Sequence, residues 1–189
     1  MEKVRTFIAI NLDSKIKEYL FSLKNNLKTG NSKIKWVEEN NLHITLKFLG
    51  YILPQQLELI DLGLNKITNQ YPPFSIKLSS DIGIFPSYKM PRIIWVGIKE
   101  SSHKLTELYN SIEERLYKNG FPKENKRFSS HITIGRIKYI KDKNSLINNL
   151  KQISIERLSQ KVESVELMKS ELTSKGPVYR VFHKYLLLK

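Results

Sequence analysis

The amino-acid sequence predicts an α+β protein made of two similar lobes, each an antiparallel sheet with its helices on the outer side, around a central cleft. Three observations carry this. Strand-like runs with apolar residues at every second position alternate with runs whose apolar residues recur every three or four. The order strand, helix, His-bearing strand, helix, strand occurs twice. The spacing also repeats, since Phe7 to His43 is 36 residues and Ile93 to His131 is 38. Internal duplication is the simplest account, and it sets one His strand on each wall of the cleft.

In chain order, residues 5–12 alternate as a first strand, and Asp13 or Ser14 caps the helix that follows. Ile16, Tyr19, Leu20, Leu23 and Leu27 keep helical spacing over 14–27, until Thr29-Gly30-Asn31 stops it. A short strand over 34–37 and a turn over 38–41 lead into the first His strand, 41–50. Pro54 opens a second amphipathic helix through Leu57, Ile60, Leu64 and Ile67, closed by Tyr71-Pro72-Pro73. Residues 74–78 form a strand, and 83–91 read as a loop, rich in turn formers and basic at its tip.

The second half begins with a strand over 92–98. A helix over 101–117 follows, with Leu105, Leu108, Ile112 and Leu116 on one face and Asn119-Gly120 as its stop. Phe121-Pro122-Lys123 leads to the second His strand, 128–136. Then come a short helix near 145–150, a strand over 162–167, a strand from Ser170, a Gly176-Pro177 turn and a final strand over 181–188. No linker separates independent units, so residues 1–189 read as a single bilobal domain.

Composition narrows the partners. With 40% hydrophobic and 26% charged residues the chain is an ordinary globular mixture. It has no Cys, which excludes disulfides, thiolate metal sites and a Cys nucleophile. No apolar run approaches the roughly 18 residues of a membrane span, and Met1-Glu2-Lys3-Val4-Arg5 leads into a strand instead of a signal-peptide core. A soluble, cytoplasmic monomer is expected. Lys and Arg number 32 against 18 Asp and Glu, a formal charge of +14, and such an excess favours polyanions. RNA, DNA and an anionic membrane all answer that description.

The motifs sharpen the choice. His43-Ile44-Thr45-Leu46 and His131-Ile132-Thr133-Ile134 are the same tetrapeptide, and with seven Thr in the chain two of four His each meeting one by chance is roughly a 1% event. Strand parity puts His43, Thr45 and Lys47 on one face and Ile44, Leu46 and Phe48 on the other; His131 and Thr133 repeat the pattern. If the apolar sets enter a core, two imidazoles and two hydroxyls share a polar cleft. Two neutral imidazoles suit concerted proton transfer, and the Thr hydroxyls with Arg136 or Lys47 can steady an oxyanion. That fits hydrolysis at phosphorus without metal or cofactor. A zinc site lacks completing carboxylate or Cys ligands, and a Ser nucleophile lacks its Gly-x-Ser-x-Gly elbow. Arg136 has the wrong parity to join the cleft face unless Gly135 permits a bulge. His103 and His183 stand outside the motif and read as non-catalytic.

The whole chain resembles the two-histidine phosphoesterase superfamily, and within it the RNA 2′,3′-cyclic phosphodiesterase branch, also called the LigT-like or 2′-5′ RNA ligase family. The resemblance rests on Arg5-Thr6-Phe7-Ile8-Ala9-Ile10, Trp36-Val37, both His motifs with their flanks, Gly83-Ile84-Phe85-Pro86, residues 91–97, Leu167-Met168-Lys169-Ser170-Glu171-Leu172 and Gly176-Pro177-Val178-Tyr179. It implies that His43 and His131 are the catalytic pair and that Thr45, Thr133 and Arg136 hold phosphate oxygens. The reaction implied opens a 2′,3′-cyclic phosphate on RNA or a small cyclic nucleotide to a 2′-phosphate. His131 is written as base toward water and His43 as acid toward the departing 3′ oxygen, with the exchanged roles left open. Ser130 departs from the pattern, standing where relatives often carry Pro. Phe48, Phe85 and Tyr179 are candidates to stack on a base or to serve the core. A 2′-5′ RNA ligase or 2′-5′ oligoadenylate phosphodiesterase would use the same cleft, and an RNA-end-binding module would use it without turnover.

Overall fold

The structure, a computed structural model, describes residues 3–27, 29, 31–100, 103–174 and 176–188. The elements follow the expected order: β1 (Val4–Asn11), α1 (Ser14–Asn26), β2 (Lys33–Trp36), a 3₁₀ turn (Glu39–Asn41), β3 (His43–Ile52), α2 (Pro54–Thr68) and β4 (Phe74–Pro86) in the first half. The second half contains β5 (Pro91–Glu100), α3 (Lys104–Lys118), β6 (His131–Tyr139), α4 (Lys143–Lys151), β7 (Ser159–Val162), β8 (Ser164–Thr173) and β9 (Gly176–Leu186). Asp13 caps α1 as its position suggests, its carboxylate accepting the Ile16 amide at 2.8 Å. Two expected boundary signals, Gly30 after α1 and Ser101 before α3, lie outside the described residues.

All strands join one curled antiparallel sheet in the order β7-β4-β5-β6-β3-β1-β8-β9, with β2 added alongside β6. The two halves are exchanged within it. β4, from the first half, completes the lobe of β5 and β6, and β8, from the second, completes the lobe of β3 and β1. The sequence reading placed the His strands on opposite walls; here they are neighbours at the middle of the sheet, paired at Ile44 and Ile132. The pseudo-symmetric, two-lobed α+β architecture is therefore realised around a seam of two strands.

The apolar set of each central strand enters one continuous core. Ile8, Ile10, Ile44, Ile94, Val96 and Ile132 are at most 1% exposed and belong to the same cluster as Leu20 of α1, Ile60 and Leu64 of α2, Leu108 and Ile112 of α3, and Leu146 of α4. Each such side chain contributes about 1.5–3 kcal/mol by leaving water. With one face of the sheet committed to that core, alternation leaves the opposite face for the polar half of each motif. At the far edge, Asp61 of α2 accepts from the Tyr185 hydroxyl and from His183 Nδ1 at 2.9 Å, joining β9 to the helix layer.

Two expectations change. Residues 83–86, read as a loop, continue β4, with Ile82 and Ile84 buried and paired to β5. Only 87–90 turn, closed by the Met90 amide on the Ser87 carbonyl at 3.2 Å. Gly83 signals close packing instead of a turn: a Cβ there would overlap the Trp95 indole that lies across it. The expected strand over 162–167 is divided at Glu163 between β7 on the β4 edge and β8 beside β1. Local alternation cannot reveal such a division, because both pieces alternate alike.

Candidate active site

The antiparallel register of β3 and β6 builds the site from four side chains. With Ile44 paired to Ile132, His43 falls opposite Thr133 and Thr45 opposite His131, all pointing away from the core. The two imidazoles then sit on a diagonal, where Cα atoms are about 7–8 Å apart. They are close enough for the charge of His131 to bear on His43.

A β-bulge occurs at the same place in each strand. On β3, Ala9 pairs with Thr45 and Ile8 with Lys47, so Leu46 is the extra residue. On β6, Trp95 pairs with Thr133 and Ile94 with Gly135, so Ile134 is. The Ile134 carbonyl accepts the Val37 amide at 2.9 Å. Each bulge inverts the parity of the residues after it. On β6 this returns Arg136 to the cleft face, as the glycine beside it allows. On β3 it does the converse to Lys47, which was expected in the cleft. Lys47 is 2% exposed, and its ammonium donates to Glu113 of α3 at 2.5 Å and to the Pro122 carbonyl at 2.8 Å. Phe48 takes its place on the cleft side, 60% exposed.

Both histidines are held in the same tautomer. His43 Nδ1 donates to the Asn41 carbonyl and His131 Nδ1 to the Ser129 carbonyl, each at 2.7 Å and each two residues back. A carbonyl can only accept, so the neutral ring keeps its proton on Nδ1 and presents the Nε2 lone pair. The Thr45 hydroxyl donates to His43 Nε2 at 2.9 Å. Ring and hydroxyl thus address the same point.

Burial disfavours the charged form of both rings. Desolvation is the largest influence on His43 and brings its pKa down to about 4, against the raising effect of the Asn41 carbonyl. The positive charges of Lys17, His131 and Arg136 lower it further. His131 is also lowered, by desolvation first, with the Ser129 carbonyl opposing. A negatively charged ligand between them would reverse the repulsion.

Aromatic rings wall the cleft on both sides. Tyr179 meets His43 edge-on at 5.3 Å, and Phe7 lies 4.9 Å from both rings. Opposite, Phe85 is edge-on to His131 at 5.0 Å and stacks on Trp95 at 4.9 Å. Tyr179 and Phe85 therefore border the histidines, and Phe48 stands one ring further out, 6.1 Å from Phe7. The polar candidates Thr45, Thr133 and Arg136 occupy the same face.

Sequence reasoning missed four contributors: Phe7, Trp95, Lys17 and Glu166. Phe7 and Trp95 had a usable signal, since they stand at odd positions of β1 and β5 while the buried Ile8, Ile10, Ile94 and Val96 are even. Lys17, in the first turns of α1, had none. Its charge bears on His43, Glu39 and Glu166, and that proximity comes from chain crossings. Glu166 reaches the cleft side because Ala9 pairs with it on one edge and with Thr45 on the other. It is 5% exposed, and burial raises its pKa against the pull of Lys184 and Lys17.

Comparison with known proteins shows the family. The family model described as LigT like Phosphoesterase matches the chain twice, over residues 10–95 and 96–179, one match around each histidine. An RNA 2′,3′-cyclic phosphodiesterase of Archaeoglobus fulgidus is 37% identical over 178 residues, covering 94% of this chain and 97% of that protein. Its counterpart in Aquifex aeolicus is 36% identical over 191 residues and 99% of each chain. Among solved structures, a Thermus thermophilus protein aligns over 97% of this chain and 98% of its own at a TM-score of 0.81 and 24% identity. E. coli LigT complexed with 3′-AMP aligns over 100% of both at 0.75 and 22%. These structures speak for the fold.

Proposed function

Because the chain belongs to the LigT-like phosphoesterase family, we propose that it hydrolyses 2′,3′-cyclic phosphate ends of RNA to 2′-phosphates, as an RNA 2′,3′-cyclic phosphodiesterase. The observation that carries the reading is the matched pair of imidazoles, each with Nδ1 tied to the carbonyl two residues back, which leaves Nε2 as the nitrogen that exchanges a proton with the substrate. Water attacks phosphorus, one imidazole takes its proton, the P–O3′ bond breaks, and the other imidazole delivers a proton to the 3′ oxygen. Thr45, Thr133 and Arg136 hold the non-bridging oxygens as their charge grows. Acid, base and charge stabilisation are all supplied by side chains, so no metal is required.

Burial supports one ordering of roles. A ring with pKa about 4 is unprotonated in all but roughly one molecule in a thousand at pH 7, which fits His43 as base. His131 then serves as acid. This exchanges the roles written from the sequence. Both half-sites come from one chain, which supports a monomer as the working unit, and an RNA substrate supports a cytoplasmic setting.

The test is phosphorus NMR of a nucleoside 2′,3′-cyclic phosphate with EDTA present, run beside a 2′-5′-linked dinucleotide. A 2′-phosphate product from the first substrate is expected. A 3′-phosphate, or turnover only of the 2′-5′ linkage, overturns the reading. His43→Ala and His131→Ala should each lose at least the ~10²–10⁴-fold typical of general acid or base catalysis while keeping parental circular dichroism.

A further inference from the structure

Beyond Arg136 the cleft continues as an open groove. One hollow of about 670 Å³ runs from Arg136 past Lys138 and Tyr139, with Arg92 on its rim. A second, of about 620 Å³, shares Lys138 and Tyr139 and is bordered by Lys33 and Lys35 of β2. Register explains the grouping: Arg136 pairs with Lys35, and Tyr139 with Lys33. Ile34 and Trp36, the alternate residues of β2, pack against the core, which leaves both lysines outward.

The electrostatics are one-sided. Five cations line the two hollows, and no carboxylate among the described residues does. Lys33, Arg92, Arg136 and Lys138 form no ion pair among the described residues, whereas Lys118, Lys123, Lys161 and Lys169 are each matched by a neighbouring Glu. Tyr139 is 60% exposed in the midst of them. Cations left unneutralised around an exposed ring are the arrangement that holds single-stranded nucleic acid.

We propose that this groove is the track of the RNA body, in which Lys33, Arg92 and Lys138 hold the phosphates preceding the reacting end and Tyr139 stacks on a base. The proposal rests on the reading of the cleft as a cyclic phosphodiesterase site for RNA ends and adds the path of the chain that leads to the end, with the residues that hold it. Geometry fits the chemistry. A 2′,3′-cyclic phosphate closes the 3′ end, so the rest of the chain leaves through the 5′ oxygen of the terminal nucleoside. β6 carries the groove from Arg136 to Tyr139, about 10 Å at a strand's rise per residue. The residues before the cyclic end have a lined path to follow.

The experiment compares parent, Lys33→Ala/Lys138→Ala, Tyr139→Ala, and a charge-matched control, Lys77→Ala/Lys161→Ala, on the β4–β7 edge. Binding of a 5′-fluorescein hexaribonucleotide ending in a 2′,3′-cyclic phosphate is read by anisotropy across a salt series, and turnover of cytidine 2′,3′-cyclic phosphate is read separately. The groove pair should weaken hexamer binding about tenfold or more and reduce the salt slope by about 1.4, two phosphate contacts on a single strand. Tyr139→Ala should weaken it with the slope unchanged. Cytidine turnover should stay within about twofold for every variant. Equal loss in the control means that the RNA is held by charge at large, and undiminished hexamer binding in the groove variants means that the chain runs elsewhere; either overturns the track. Absence of cytidine turnover in the parent would count against the cleft reading alone, because anisotropy still decides the groove.

Discussion

Lys47 separates the two places its side chain was assigned, the cleft by strand parity and the core by the bulge at Leu46. Its ammonium is buried against Glu113, 2.5 Å away, and the Pro122 carbonyl, while Glu113 also accepts the Glu124 amide at 2.9 Å. Lys47→Met keeps the length of the stem and deletes the charge. Breaking a buried pair from one side leaves an uncompensated ion and costs about 3–5 kcal/mol, against a total stability of roughly 5–15 kcal/mol. For a chain of this size that corresponds to a fall in Tm of on the order of 6–20 °C. Lys47→Met/Glu113→Leu should recover most of it, because no charge is then left dry; the loop groups at 122 and 124 are near enough to the surface to turn to water. The assay pairs thermal and urea unfolding with turnover of a cyclic phosphate at 15 °C, where the variant stays folded. Large destabilisation with turnover within a few-fold of parent is the expected result. Normal stability with turnover down a hundredfold or more would refute the placement and return Lys47 to the phosphate.

Other outcomes rest on the same geometry. In kcat/KM against pH, activity rises as the base loses its proton near 4 and falls as the acid loses its proton somewhere below 6.5, so the optimum lies on the acid side of neutrality; a plateau extending past pH 8 contradicts it. The same depression has a stability consequence. The unfolded chain takes up the His43 proton first, so stability is intact above about 6.5 and falls as pH drops to about 4, by roughly 3 kcal/mol. His43→Gln should flatten that part of a urea-midpoint titration. Gly83→Ala forces the Trp95 ring off Gly83, which costs about 1–3 kcal/mol as overpacking, and it shifts tryptophan emission while reducing turnover, since Trp95 lies 6.0 Å from the His131 ring. Arg136→Ala should lose about 10²–10³-fold in kcat, with Arg136→Lys recovering only part because it keeps the charge without the planar fork; equal rates for Lys and parent would argue against a bidentate phosphate contact.

Several features were legible before any coordinates. Alternation in His43-Ile44-Thr45 and His131-Ile132-Thr133 set imidazole and hydroxyl on one face, because a strand has a strict period of two and its Ile had to reach a core. The helices were legible from apolar spacing, and the duplicated order foretold two related lobes. The Gly135-Arg136 pair even carried the suggestion of a bulge. Its counterpart at Leu46 carried none, and one extra residue was enough to move Lys47 into the core and Phe48 into the cleft.

What belonged to the sequence alone was everything governed by neighbours along the chain: periodicity, caps, the paired motifs and the excess of positive charge. What the tertiary structure decided was everything governed by neighbours across it. The meeting of β3 with β6, the exchange of β4 and β8 between lobes, the approach of Lys17 and Glu166 to the cleft, and the burial that drives the His43 pKa down to about 4 all depend on strand register and desolvation. Those are set by which surfaces come together, and residues far apart in sequence have no local signal by which to announce it.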